Sequence, residues 1–273
     1  MKITRKEILS DYQGVRLIRM HLTAPHIVRK AQPGQFVVLM VAEEGERIPL
    51  TLVDSLQDDI VLVFQEAGLS TKLLGRLNEG DELYALLGPL GHPTEIKNYG
   101  KVILVAGGVG IAEIYPVARA LKEAGNHVTT VLGARTKELL FLENELKQTS
   151  DDFRVATDDG SYGRKGFTTD VLNELLSAGS YDLVYAVGPL PMMRRVADVT
   201  KPFGVRTMVS LNTLMMDGTG MCGGCRVTVG GAAKFACVDG PEFDAHAVDW
   251  DELKHRNKMY VDQEQHICNL HKL

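Results

Sequence analysis

The sequence predicts three parts: a small antiparallel β barrel, a doubly wound α/β domain on a parallel sheet, and a small cysteine-rich C-terminal domain. Up to about residue 97, short strand-like stretches follow one another at close spacing with turns between them, the pattern of a small barrel. From Lys101 the rhythm changes to apolar strand, glycine-rich turn and helix, repeated. Beyond about Thr207 this rhythm stops, and three of the four cysteines fall between Cys222 and Cys237. The expected divisions are therefore 1–97, 98–206 and 207–273.

In the first part, Met1-Lys2-Ile3-Thr4-Arg5-Lys6 leads into alternating, strand-like sequence. Strands are expected at Val15 to Leu22, Gln35 to Ala42, Pro49 to Val53, Ile60 to Gln65 and Glu82 to Leu87. One helix interrupts them. Ser70-Thr71-Lys72-Leu73-Leu74-Gly75-Arg76-Leu77 opens on hydroxyl residues suited to a helix N-cap and sets its leucines on one face. Gly88-Pro89-Leu90-Gly91-His92-Pro93 is expected to break regular structure and mark the first boundary.

In the second part, Val102 to Ala106 is a continuous apolar run, followed by Gly107-Gly108-Val109-Gly110 and a helix from Ile111 to Ala124. Further strands are expected at Val128 to Leu132, Phe153 to Thr157 and Leu183 to Val187. Apolar strands alternating with helices belong to a parallel sheet covered on both faces. The last part is expected to hold a strand, the cysteine loop, a hairpin from Arg226 to Ala236 turning at Gly230-Gly231, and a helix near Val248 to Met259.

Composition excludes several classes of function. The 273 residues, 45% hydrophobic and 24% charged, can build a full core unaided. A net charge of −5 and a pI near 5.9 leave no basic surplus to neutralise phosphates, which argues against nucleic acid and anionic membranes as partners. The N-terminus has no apolar signal core, and no apolar run approaches membrane-spanning length. Clustered cysteines in such a chain point to metal rather than to disulfides, so a cytoplasmic protein is expected.

Gly107-Gly108-Val109-Gly110 lies where the carboxyl end of a strand meets a helix N-terminus, a place where backbone N–H groups and the helix dipole favour phosphate. It is not G-x-G-x-x-G, and alone it also fits a tight packing turn. Gly188-Pro189-Leu190-Pro191-Met192-Met193 ends another strand in the same way, and Asp158-Asp159-Gly160-Ser161 ends a third. Three such loops at one sheet edge make a site. In the first part, Arg47 to Leu52 and Gly68 to Leu74 pair as a strand and a phosphate-binding helix start, or stand simply as a strand and a capped helix.

The cysteine loop, Met216-Asp217-Gly218-Thr219-Gly220-Met221-Cys222-Gly223-Gly224-Cys225, is answered by Cys237. C-x2-C followed by C-x11-C is a metal-ligand spacing: the close pair lets two thiolates converge, and glycines let backbone N–H groups turn toward sulfur. Two alternatives stand beside it. The cysteines are an ordinary buried pair in a glycine-rich hairpin, or three thiolates with Asp217 or a histidine hold structural zinc in a non-catalytic docking module.

In this order the motifs resemble the ferredoxin-reductase-type electron-transfer subunits that end in a 2Fe-2S domain. Among these are the dihydroorotate dehydrogenase electron-transfer subunit and, more closely, the small subunit of NADH-dependent reduced ferredoxin:NADP oxidoreductase, also described as a sulfide dehydrogenase subunit. The resemblance covers nearly the whole chain and implies an FAD-binding barrel (1–97), an NAD-binding domain (98–206) and a 2Fe-2S domain (207–273). It implies that Pro49, Leu50, Thr51 and Leu52 lie against the flavin, and that Val63, Phe64, Gln65, Gly68, Ser70 and Thr71 hold the rest of the FAD. Gly107, Gly108, Val109 and Gly110, with Gly188, Pro189 and Met192, would receive the nicotinamide nucleotide. The acidic Asp158 and Asp159 disfavour a 2′-phosphate, while Arg135 pulls the other way, so NAD(H) is expected rather than NADP(H).

Three departures from the family pattern matter. Relatives have an arginine directly before the proline where this chain has Ile48, with Arg47 one place earlier. They have a proline where this chain has Glu113, a carboxylate able to act on nicotinamide access or a coupled proton, or simply favoured by the helix dipole. The dihydroorotate dehydrogenase subunits use C-x4-C-x2-C, whereas this chain reads D-x4-C-x2-C-x11-C with Asp217 first. Resemblance to the bifurcating subunit implies Asp217, Cys222, Cys225 and Cys237 as cluster ligands, with Cys268 a tail thiol; a loop-capping Asx turn is the alternative role for Asp217. The implied function is electron transfer: NADH gives hydride to FAD, and single electrons pass through the 2Fe-2S cluster to a larger flavin and iron–sulfur partner subunit, with ferredoxin reached indirectly. No side-chain acid or base need be catalytic. Asp217 in place of cysteine weighs against the pyrimidine-pathway alternative.

Overall fold

The computed structural model describes residues 1–270. As far as Leu90 the chain forms β1 (Ile3–Tyr12), β2 (Val15–Thr23), α1 (Pro25–Val28), β3 (Phe36–Met40), β4 (Arg47–Thr51), β5 (Asp54–Leu56), β6 (Asp59–Gln65), α2 (Leu69–Arg76) and β7 (Ala85–Leu90). The strands pair antiparallel in two sheets, ordered β1-β2-β6-β5 and β4-β3-β7. Ile18, Met20, Leu22, Leu39, Leu62 and Phe64 are buried between them as the barrel core. Because side chains alternate along a strand, Ile60, Leu62 and Phe64 of β6 point into this core, while Val61 and Val63 point out toward the second domain.

Two expectations for the barrel change. β7 runs through Gly88-Pro89-Leu90 instead of breaking there. It is an edge strand, and its register against β3 shifts between Phe36 and Val38, so the missing proline N–H is tolerated at a bulge. Helix α2 is capped from inside: Gly68 is the N-cap, and the Thr71 hydroxyl accepts from the N–H groups of Ala67 (2.9 Å) and Gly68 (3.1 Å). Ser70 is buried and donates instead to Glu46.

The second domain continues with β8 (Lys101–Gly107), α3 (Ile111–Glu123), β9 (His127–Ala134), α4 (Glu143–Gln148), β10 (Asp152–Thr157), β11 (Arg164–Lys165), α5 (Thr168–Ala178), β12 (Leu183–Val187), α6 (Leu190–Thr200) and β13 (Arg206–Ser210). The cysteine loop follows, then β14 (Arg226–Val229), β15 (Ala232–Phe235), β16 (Glu242–Asp244), α7 (Trp250–Arg256) and α8 (Val261–Leu270). A seven-stranded sheet has the order β11-β10-β9-β8-β12-β13-β16. All its pairs are parallel except β13 with β16. The order reverses between β8 and β12, and such a switch point opens a crevice at the carboxyl ends of the strands.

Both faces of the sheet are covered, as its apolar strands require. Ile103, Val105, Val184 and Ala186 pack on one side, and Val102, Leu104, Ala106 and Tyr185 on the other. The second face continues into Leu17, Val61 and Val63, so the barrel seats against it. The C-terminal part is stitched to the same sheet: β13 spans the 206/207 division and β16 returns to pair with it. Helix α8 was not foreseen from the sequence; it carries Cys268 and packs against α2.

Candidate functional site

One cavity of about 1050 Å³ opens at the switch point, walled by the barrel, the sheet edge and the segment Ser210–Met215 that leads into the cysteine loop. Its floor is the turn from β8 into α3. A Cβ added at Gly110 would lie 2.5 Å from the Val187 carbonyl oxygen and 3.0 Å from the Gly188 nitrogen. The glycine therefore lets the β8 and β12 loops touch, and Gly107, Gly108 and Gly110 line the cavity with backbone rather than side chain. The Met192 side chain packs over Gly107 and Gly188. Residues 190–193 form the first turn of α6 rather than a loop, leaving Gly188-Pro189 as the connection.

Most of the residues singled out from the sequence meet here. Pro49, Leu50, Thr51, Val63 and Gln65 line the barrel side; Gly107, Gly108, Val109, Gly110, Arg135, Asp158, Gly188, Pro189 and Met192 line the sheet side. Leu52 and Phe64 do not: strand alternation puts both in the barrel core. Gly68, Ser70 and Thr71 form the start of α2, outside the cavity lining, with Thr71 serving as its cap. Asp159 turns onto its own loop, accepting from the Ser161 N–H (2.9 Å) and hydroxyl (2.7 Å). Burial, then the neighbouring Asp159, raises the Asp158 carboxyl above its ordinary value, with Arg135 opposing. Arg195 from α6 and Thr168 and Thr169 from α5 also line the cavity. Both helices follow predicted strands, but nothing local in the sequence marked these three residues.

Glu113 is the residue whose surroundings the sequence concealed. It lines the cavity and is 8% exposed. The Thr51 hydroxyl lies 3.3 Å from its Oε2, and the hydroxyl of the fully buried Tyr185 lies 3.2 Å from its Oε1. Tyr185 is also 2.7 Å from Glu242 Oε1, which accepts from Thr94 as well. Burial pushes the Glu113 carboxyl up to about 7, with Glu242 adding to the rise while hydrogen bonds, that of Ser210 first, oppose it.

In the cysteine loop, Cys225 and Cys237 are buried with their sulfurs 3.2 Å apart. Cys222 is exposed, and its sulfur accepts from the Gly224 N–H at 3.4 Å. Gly218, Gly220 and Gly223 have positive φ angles that reverse the chain around these sulfurs. Burial, then Cys225, pushes the Cys237 thiol up to about 12; a bound metal would reverse that preference, since ligation requires thiolate. Among the described residues no three His, Cys, Asp or Glu side chains converge, so Cys222 and Asp217 stand apart from the buried pair. Asp217 Oδ2 accepts from the N–H groups of Thr219 (3.1 Å) and Met221 (3.3 Å) and from the Thr219 hydroxyl. Those bonds, the Thr219 hydroxyl first, and Arg47 on β4 hold its carboxyl below the ordinary range. Two thiols on a glycine-rich loop and a third, Cys237, just beyond the hairpin that follows it, with an N–H aimed at the Cys222 sulfur, make a donor set that fits an iron–sulfur cluster.

Residues 212–249 match the family described as the iron-sulfur cluster binding domain of dihydroorotate dehydrogenase B, and residues 104–198 match the oxidoreductase NAD-binding domain. A Thermotoga maritima protein named as a homolog of the dihydroorotate dehydrogenase B (NAD(+)) electron transfer subunit is 52% identical over 244 residues, 89% of this chain and 86% of that one. This chain belongs to the dihydroorotate dehydrogenase B electron transfer subunit family. A Geobacillus thermodenitrificans member of that family, named as the electron transfer subunit itself, is 35% identical over 85% of this chain and 93% of its own. A solved structure reported for flavin-based electron bifurcation by an NADH-dependent reduced ferredoxin-NADP oxidoreductase superposes with a TM-score of 0.91. It is 46% identical and covers 97% of this family member and 95% of the solved chain. No described helix is long and apolar enough to cross a membrane.

Proposed function

We propose that this electron-transfer subunit oxidises or reduces NAD(H) through FAD held in the switch-point cavity, and exchanges single electrons with a 2Fe-2S cluster at the cysteine loop and with a larger flavin and iron–sulfur partner. The reading is supported above all by the continuity of the cavity. It extends from Gly107–Gly110 and Gly188, past Thr51, to Leu211 and Met215 at the base of the cysteine loop. FAD, when bound, supplies the exchange between a two-electron hydride and single electrons, which neither NADH nor the cluster can make alone.

The residues of this chain bind, orient and shield. Pro49, Leu50, Thr51, Val63 and Gln65 give the flavin a wall, and the start of α3 gives the nucleotide phosphates N–H donors and a favourable dipole. Arg135 and Arg195 line the same cavity as side-chain cations able to pair with phosphate. Asp158 sits where a ribose without a 2′-phosphate is preferred, which favours NAD(H). Cys222, Cys225, Cys237 and Asp217 are the ligand set, Asp217 exchanging the Thr219 and Met221 N–H groups it caps for the cluster. Met221 is 87% exposed and Cys222 is exposed, leaving the outer side of the loop open to the partner's redox centre. The units 1–97, 98–206 and 207–273 then carry flavin, nucleotide and cluster respectively. Unpaired cysteines suit a cytoplasmic protein.

Purified with its cluster, the chain is expected to be brown, to release FAD on acid extraction and to bleach with NADH faster than with NADPH. FMN, no flavin at all, or a colourless zinc protein would overturn the reading. A bifurcating partnership, rather than one with a dihydroorotate-oxidising subunit, is favoured by Asp217 at the place where the C-x4-C-x2-C pattern has its first cysteine. Co-purification of the larger subunit tests it.

A further inference from the structure

The hydrogen bonds around Glu113 cannot all be made by ionised carboxylates. Tyr185 has one hydroxyl hydrogen, and its oxygen lies between two carboxyl oxygens, 2.7 Å from Glu242 Oε1 and 3.2 Å from Glu113 Oε1. If the hydrogen goes to the nearer oxygen, the contact with Glu113 sets lone pair against lone pair unless Glu113 itself carries a proton and donates it. The bonds then run in one direction: Glu113 to Tyr185, Tyr185 to Glu242, with Thr94 donating to Glu242 from the other side. The groups facing Glu113 are Thr51 from β4, Tyr185 from β12, Ser210 from β13 and Glu242 from β16, and none is a cation. The line begins at the cavity wall, where Thr51 and Glu113 both sit, and ends at the half-buried Glu242 and Thr94.

We propose that Glu113 is the proton-holding residue of the flavin site, acting through the Thr51 hydroxyl and exchanging its proton with solvent along Tyr185 and Glu242. This rests on the proposed function and adds a reason for the carboxyl. Oxidation of one NADH yields NAD⁺, two electrons and one proton. Electrons that leave singly toward a cluster leave that proton in the cavity. The Glu113 carboxylate takes it by way of Thr51 Oγ1, becoming the neutral acid that the Tyr185 geometry requires; in the opposite direction it returns it. Burial that lifts the carboxyl to about 7 lets both forms be populated at neutral pH. The four residues come from four separate strands or helices, so the arrangement is a product of the fold rather than of a local motif.

Two readouts test this. In the cofactor-free chain, carbon-13 labelled glutamate carboxyls are titrated by NMR; one is expected to titrate close to pH 7 and to vanish in Glu113→Gln, whereas only ordinary carboxylate titrations would overturn the inference. In the FAD-loaded chain, the reduction potential of the flavin is followed by absorbance against pH. The wild-type plot should bend near pH 7, Glu113→Gln should abolish the bend and Glu113→Asp restore it, and Tyr185→Phe, which removes the oxygen that accepts from the neutral acid, should move it to lower pH. A bend unchanged in Glu113→Gln would assign the proton elsewhere. If Glu113→Gln does not fold, the Tyr185→Phe shift and the wild-type titration decide. A wild-type chain that binds no flavin would count against the proposed function, while the titration still judges Glu113.

Discussion

Glu113 also predicts how stability depends on pH, from burial alone and whatever its role toward a flavin. Its carboxyl is raised from 4.5 to about 7, first by burial and then by Glu242. A group whose folded value is raised favours the fold while protonated. Its contribution is therefore complete below pH 4.5, falls as the pH rises, and is lost above about pH 7. At about 1.4 kcal/mol for each pH unit between the two values, the loss is about 3 kcal/mol. The perturbation is Glu113→Gln, which keeps the shape and removes the ionisation. The assay is urea unfolding of the cofactor-free chain at a series of pH values from 4.5 to 8. Wild type should lose about 3 kcal/mol more than the variant across this range, with Glu242, whose carboxyl is raised in the same direction, contributing to both. Parallel stability curves for the two proteins would refute the burial argument.

Gly110→Ala should cost about 1–3 kcal/mol of stability and sharply weaken nucleotide binding, because its Cβ meets backbone at Val187 and Gly188. Gly107→Ala meets chiefly the flexible Met192 side chain, with Pro189 Cδ at 3.3 Å, and should be milder; equal effects in calorimetric binding would contradict this. Cys225→Ser should abolish iron incorporation measured by metal analysis, since Cys225 and Cys237 are the buried pair, and full iron content would remove Cys225 from the ligand set. Asp217→Cys should alter the electron paramagnetic resonance signal of the reduced cluster while Cys268→Ala leaves it unchanged. The opposite pattern would transfer the ligand role to Cys268.

The apolar runs at Val102–Ala106, Val128–Leu132 and Leu183–Val187 determined by themselves that a parallel sheet would form, because only strands covered on both faces tolerate such continuity. The C-x2-C and C-x11-C spacing likewise marked Cys222, Cys225 and Cys237 before any fold was known, since ligand spacing is a local property of a loop. Features that depend on which way a side chain points, or on what crosses it, were settled only in three dimensions. Phe64 and Val63 are adjacent in the chain yet belong to different compartments, and only the packing of β6 shows that Phe64 faces the barrel core. Gly88-Pro89 looks like a break until β3 supplies a partner and a bulge accommodates the proline. Thr71 rather than Ser70 caps α2, because the entry angle of the chain places the N–H groups of Ala67 and Gly68 over it. Glu113 alone in the sequence is an ordinary first-turn acid; its environment comes from Thr51, Tyr185 and Glu242, 62, 72 and 129 positions away by subtraction of their numbers. Hydrogen-bond networks between distant strands leave no periodicity or spacing in a sequence, because each member is chosen by what the fold brings near it and not by its neighbours along the chain.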